Sequence, residues 1–437
     1  MSAIRASDKD KRLRDEIEKK HGKTPEQLYE EREKRLRDAI QLKQPDRVPV
    51  ILRAGFFPAK YNGIPLSTAY YDPVAWKEAN KKMIYEMEPD ACQAGAQVSS
   101  GQAFEALDTK QLKWPGGTLP PDVPYQFVEG EYLKADEYDT FLADPSDFTL
   151  RTYLPRVYGA LAPLGKLPPI RTLSGTTLTA ITTLFASPEF QKLAKALAKS
   201  GEEHEKARQV MSTLEDELAA LGFPLSSQFG GVAQAPFDLW SDYYRGMRES
   251  MIDMYRRPEK LLAACDKILE WRISQMVPAD PKRRGNPKRI FMPLHRGAEG
   301  FMSKKQFETF YWPGLKKAIM ANIDMGYVTM PFFEGRYGDR LEYLLELPKG
   351  KVACHFEHMD MAHAKEVLGG HLCIMGNVSS SLLITGSVQE VEEYCKKLIK
   401  VCGKGGGFIL STGSSMDEAK PENAKAMIDS VKKYNVD

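Results

Sequence analysis

The chain has 437 residues, 42% of them hydrophobic, with a formal net charge of +2. Such a length fits one large α/β barrel with additions, and the composition can fill its core. So small a charge implies no polyanionic partner, and no basic stripe with interleaved aromatics supports nucleic-acid binding. Six cysteines form no Cys-x-x-Cys pair, which excludes a zinc ribbon or thioredoxin-type motif. The first eight residues carry no apolar signal region, and no uninterrupted apolar run approaches a membrane span. These features predict a cytoplasmic protein with reduced thiols.

Residues 7–44 are dense in Lys, Arg and Glu, with Leu13, Ile17, Leu28, Leu36 and Ile40 scattered among them. They predict one or two charged helices outside the core, broken near Gly22 and Pro25, as a solvated lead-in. The other reading of such an arm is a cover over the barrel bottom or a reach to a second subunit. The expected organisation is an N-terminal helical extension over 1–45 and a barrel over 46–437, with a helical insertion at about 187–222. Residues 47–53 read as the first core strand and 54–61 as a loop. Asp72 and Pro73 open a helix as cap and first-turn proline. A strand is predicted at 90–93, a long loop region with edge strands at 108–150, helix at 187–221 and another strand at 228–232. From Lys260 onward strands and helices alternate, as parallel βα units do.

Four apolar runs in the last third end in polar residues: 291–295 in His295, 328–334 in Glu334, 352–357 in His355 and Glu357, and 408–415 in a Ser/Thr/Gly segment. In a parallel barrel the C-terminal strand ends share one face, where catalytic groups sit. His295, Glu334 and His355 are therefore expected in one pocket. Imidazole and carboxylate both suit a three-ligand catalytic zinc, with Glu357 replacing or orienting His355. Alternatively the same residues bind substrate without metal. Among the aromatic residues that follow strands, Phe56, Phe57, Phe333 and Trp240 are expected to line a site for a flat ligand, and Arg53 is a further candidate. His358, His363 and His371 are not expected to be ligands. Glycines at 403 and 405–407 precede a strand rather than opening a helix, so they predict a tight turn and no phosphate loop.

Several segments resemble the uroporphyrinogen decarboxylase superfamily. They are 294–313 (Leu-His-Arg-Gly-Ala-Glu-Gly-Phe-Met-Ser-Lys-Lys-Gln-Phe-Glu-Thr-Phe-Tyr-Trp-Pro), 360–369, 375–378 (Met-Gly-Asn-Val), 405–413, 421–427 and the opening Arg47-Val-Pro-Val. The resemblance implies an α/β fold, a (β/α)8 TIM barrel. One branch of that superfamily decarboxylates uroporphyrinogen, and the other exchanges methyl groups with a corrinoid protein. The decarboxylases carry an Arg-rich stretch after the first strand. Here Arg53 stands alone, and the position of their central aspartate falls near Gly95. The zinc-binding His-x-Cys and C-terminal Cys of many corrinoid-branch members read Phe332-Phe333-Glu334 and Ser414-Ser415 here, which removes the soft ligands that activate a thiol. The chain thus resembles the first methyltransferase of an O-demethylase system. That resemblance implies transfer of a methyl group from a methoxylated aromatic compound to the cobalt(I) of a corrinoid protein, a zinc cofactor and a homodimer. The alternatives are a uroporphyrinogen-type decarboxylase and a non-enzymatic corrinoid- or tetrapyrrole-binding barrel.

Overall fold

The computed structural model describes residues 8–93, 100–175, 178–282, 284–285 and 287–436. Nine strands run in chain order: β1 (Val50–Arg53), β2 (Ala91–Gln93), β3 (Leu112–Lys113), β4 (Gln126–Phe127), β5 (Lys288–Leu294), β6 (Tyr327–Arg336), β7 (Ala353–His358), β8 (Cys373–Val378) and β9 (Phe408–Thr412). Seven form one parallel sheet in the order β2-β1-β9-β8-β7-β6-β5, and β3 and β4 pair antiparallel beside it. The two edges of the large sheet are linked by residues 224–228. Cys92 N donates to Pro224 O at 3.2 Å, Ser226 N to Cys92 O at 2.9 Å, and Gln228 N to Arg289 O at 2.7 Å. The sheet therefore curls into a TIM-barrel-like α/β fold, and its edges are joined by backbone rather than left open.

Alternation along the strands separates two apolar sets. Leu52, Met292, Phe333, Cys354, Phe356, Ile374 and Leu410 join the main core under the surrounding helices. Ile51, Ala91, Met330, Ala353, Met375 and Ile409 form a second cluster together with Leu36, Ala39 and Ile40. The last three lie on helix α2 (Pro25–Ile40), which follows α1 (Asp8–His21). Helix α2 is thus the floor of the inner space and not a solvated lead-in. Its start is set by a Thr24–Gln27 capping box with Pro25 in the first turn. Buried ion pairs fix it across the chain: Arg289 Nη1 meets Glu33 Oε2 at 2.8 Å, and Arg35 Nη1 meets Asp90 Oδ1 at 2.5 Å.

Other elements follow local chemistry. Asp72 caps the helix Pro73–Met87 through Ala75 N at 2.9 Å. The expected helix at 187–221 is two, Pro188–Met211 and Leu214–Ala220. Gly405, Gly406 and Gly407 all have positive φ, the tight turn their spacing predicts. Three expectations fail. Residues 54–61 include a short helix, Phe57–Asn62, which Gly63 ends in the left-handed conformation. Residues 108–150 carry the expected short strands, β3 and β4, but also hold helices, Tyr138–Ala143 and Pro145–Phe148, the second capped by Asp144. Residues 228–232 form no strand, and Phe229 points to solvent at 87% exposure. The edge-linking backbone, residues 224–228, shares only Gln228 with them. No helix among the described residues is long and apolar enough to cross a membrane, and the six cysteines are buried free thiols.

Candidate active site

The inner face of the sheet can be read upward from the floor along each strand. On β6 it carries Met330, Phe332 and Glu334; on β7, Ala353, His355 and Glu357; on β1, Ile51 and Arg53. Above the apolar floor lies a layer of Arg53, Phe291, Phe332 and His355. The Arg53 guanidinium stacks 3.9 Å from the Phe332 ring centroid and 4.7 Å from that of Phe291. Its Nε donates to Gln93 at 3.3 Å, while Nη1 is buried without a hydrogen-bond partner. Burial pulls Arg53 down to about 10, while Glu334, Glu357 and Asp417 favour its charge.

His295 follows β5 directly, and two aspartates hold it. Asp238, on the helix Pro236–Leu239, accepts from His295 N at 3.0 Å, Arg296 N at 2.9 Å and the Tyr311 hydroxyl at 2.6 Å. Asp242, one turn later, meets His295 Nδ1 at 2.7 Å and accepts from Arg296 Nη2 at 2.9 Å. Asp238 therefore fixes the backbone at the strand end, and Asp242 fixes the imidazole. Burial works to lower the His295 pKa. The Asp242 hydrogen bond and the charges of Asp238, Asp242 and Glu334 outweigh it and raise the group to about 9. At neutral pH His295 is an imidazolium. With Nδ1–H given to Asp242, Nε2–H is turned toward Glu334, whose Oε2 lies 3.9 Å away. That gap is too long for a direct hydrogen bond.

Glu334 titrates high, because burial and the charges of Glu357 and Asp238 oppose its ionisation more than His295 and Arg53 favour it. Glu357 accepts from Gly335 N at 2.8 Å through Oε2, which ties the two strand ends together. Asp417, in the loop after β9, accepts from Phe56 N at 2.6 Å and from Ser415 Oγ at 3.2 Å. Burial raises the Asp417 carboxyl as well. Tyr125 adds a half-open ring 6.0 Å from that of Phe56, and its phenol is raised by burial and by Asp417 and Glu334. The mouth is thus rich in carboxylates, with one poised imidazolium and an aromatic wall.

Of the expected site residues, His295, Glu334 and Glu357 meet at the mouth, and Arg53 lies just beneath. Phe56 backs the mouth through Tyr125. His355 does not join His295 and Glu334. It is fully buried one layer deeper, its ring 4.7 Å from Phe332, and Nε2 donates to Thr412 O at 2.7 Å. Burial and the Arg53 charge hold it neutral, well below the usual histidine range. The expected zinc trio therefore does not form, and among the described residues no group of three His, Cys, Asp or Glu side chains is arranged to hold a metal. All four aromatic residues expected against a ligand are core instead, Phe56 in a cluster with Trp76 and Trp114. Phe57 packs with Tyr61, Phe333 stacks on Phe356, and Trp240 lies against Tyr138, Phe141 and Tyr244. Gly95 lies outside the described residues. Sequence reasoning missed Asp238, Asp242, Tyr125 and Asp417. The four-residue spacing of the two aspartates, just after Pro236, is the one local signal that marks a helical turn with two carboxylates on one face.

The uroporphyrinogen decarboxylase (URO-D) family model matches residues 187–434, more than half of the chain. A methyltransferase from Methanosarcina mazei has a similar fold, with a TM-score of 0.55 at 17% sequence identity, over 92% of this chain and 98% of that one. At that identity the likeness is one of fold. No curated protein matches the chain.

Proposed function

This chain belongs to the uroporphyrinogen decarboxylase family, and from that premise we propose that it is a corrinoid-dependent methyltransferase that demethylates a methoxylated aromatic compound. The observation that carries the reading is the His295–Asp242 pair, an imidazolium whose free N–H faces the mouth beside Glu334. An aryl methyl ether is a poor substrate for methyl transfer, because unprotonated phenolate leaves reluctantly. A proton donor aimed at the ether oxygen lowers that barrier, and general acids contribute about 10²- to 10⁴-fold.

The nucleophile that takes the methyl group is the reduced corrinoid of a partner protein. As the carbon–oxygen bond breaks, its electron pair stays on oxygen, and His295 Nε2 supplies the proton that makes the leaving group a neutral phenol. Asp242 keeps the imidazole oriented through this step. Glu334, whose carboxylate lies 3.9 Å from His295 Nε2, is the neighbouring group placed to relay a proton from solvent back to His295. Tyr125, backed by the buried Phe56, offers the flat surface for the aryl ring. No step is routed through zinc, since the three expected ligands do not converge. The carboxylates of Glu334, Glu357, Asp242 and Asp417 argue against a porphyrinogen with many acid groups, which like charge would repel.

The test is an anaerobic assay with a reduced corrinoid protein and a panel of methoxybenzenes, following the loss of cobalt(I) absorbance and the appearance of phenol. Equimolar methyl transfer and phenol release supports the reading. No transfer from any methoxylated aromatic, with a corrinoid protein proven active, sinks it.

A further inference from the structure

At the opposite end of the barrel, a cavity of about 180 Å³ lies between the N-terminal helices and the strand starts. Its wall is dominated by cations: Lys23, Arg32, Arg35, Arg47 and Lys432 face it against the carboxylates of Glu31 and Glu88. Most of these cations are already matched. Lys23 pairs with Glu31 at 2.5 Å. Arg35 is shared between Asp46 and Asp90, and Arg47 binds Asp90 through both terminal nitrogens. Glu88 is claimed by Lys20 at 2.8 Å and His21 at 2.9 Å.

Two cations are left over. Arg32 is only 7% exposed and has no ion pair among the described residues. Its Nη1 donates to Gly222 O at 2.6 Å, and the guanidinium lies 4.1 Å from the Phe223 ring centroid. The Nε and Nη2 donors remain unspent. Lys432 comes no nearer than 3.6 Å to the already occupied Glu88 and to Asp429. Both groups sit below their ordinary values, Arg32 at about 10, because burial, helped by nearby cations, outweighs the more distant charges of Asp90 and Glu88 on Arg32 and of Glu88 and Asp429 on Lys432. A buried arginine without a carboxylate is unusual, since the desolvation of a charge is normally offset by a partner.

We propose that this cavity binds a small phosphate-class anion, with Arg32 and Lys432 as its principal donors. Guanidinium presents a planar fork to tetrahedral oxyanions, and an ammonium supplies a point charge beside it. The ligand would tie α1, α2 and the C-terminal helix Pro421–Lys433 to the barrel floor. This site is independent of the proposed methyl transfer, because no group of the mouth takes part in it.

The test is calorimetric titration of the full chain with inorganic phosphate and, separately, glycerol 3-phosphate, in chloride buffer of matched ionic strength. Thermal melts are run in the same solutions. The expected result is one saturable site, a melting shift that chloride does not reproduce, and roughly tenfold weaker binding in Lys432→Gln, the equivalent of about 1.4 kcal/mol. Arg32→Gln should abolish binding. If that variant does not fold, Lys432→Gln carries the test, since the Lys432 side chain is 40% exposed. The tighter of the two titrants tells a free oxyanion from a phosphate monoester. Absence of heat and of any melting shift with both titrants overturns the site. So does binding that these substitutions leave unchanged.

Discussion

A histidine that gives one ring nitrogen to a carboxylate leaves the other to meet a substrate, and the strength of that first bond sets the pH range in which it is an acid. His295 is raised to about 9 by Asp242 and the neighbouring carboxylates against the opposing effect of burial. Methyl transfer should therefore be flat through neutrality and fall as pH rises through about 9. In His295→Gln the rate should drop about 10²- to 10⁴-fold and that limb should vanish. In Asp242→Asn the limb should move toward 6.5, the ordinary histidine value. A pH–rate profile of the three proteins checks this. The same group contributes stability that is full below about 6.5 and lost as pH rises through about 9. Melting temperatures of wild type and His295→Gln should therefore converge in alkaline buffer. Residue by residue, strand-end polarity made His295, Glu334 and Glu357 legible, because alternation assigns a face. It does not assign a depth, and His355 shares that face two residues below Glu357. Asp242 escaped notice because it lies 53 positions from His295 on a separate element.

Among the elements, α2 was the one whose charge pattern favoured a solvated lead-in over a cover for the barrel bottom. Its Lys, Arg and Glu residues suggest solvent on every side, yet Leu36, Ala39 and Ile40 are fully buried under the strands. Leu36→Ala should cost about 2–5 kcal/mol, the range for a buried leucine whose site cannot collapse, read as a lower urea midpoint. Helix starts were legible because capping is local chemistry, as at Asp72 and Pro73. The link between the sheet edges was not, because residues 224–228 hold their neighbours through a few hydrogen bonds and carry no alternating pattern. A different constraint acts in the loop after β1. Gly55 has φ +54°, and a Cβ there would lie 1.8 Å from Asp417 Oδ1. Gly55→Ala must push Asp417 from its bond to Phe56 N, so it should lower the melting temperature and reduce methyl transfer together. Unchanged values of both would show that the mouth does not depend on this contact.

Across the whole molecule, the two ends of the barrel treat charge in opposite ways. At the floor, Glu33 meets Arg289 and Asp90 meets Arg35 and Arg47, and the Asp90 carboxyl is held low by those arginines despite its burial. At the mouth, burial and crowding raise Glu334, Asp238 and Asp417. A barrel class was legible from length, apolar content and strand–helix alternation. This polarity was not, since Glu33 and Arg289 stand 256 positions apart. The consequence is a conflict between stability and function at the mouth. A carboxyl whose folded pKa exceeds its unfolded value opposes folding once pH is above both, and the penalty fades as pH falls through the folded value toward the unfolded one. Glu334→Gln should thus raise the melting temperature at pH 7 while slowing methyl transfer. Its side chain is 43% exposed, so solvent screening keeps the gain below about 1 kcal/mol. The gain should disappear in acid, where wild-type Glu334 is protonated. A melting series of both proteins from acid to neutral pH decides the matter. A variant less stable than wild type at pH 7 would mean that the attraction of His295 and Arg53 for Glu334 outweighs the crowding.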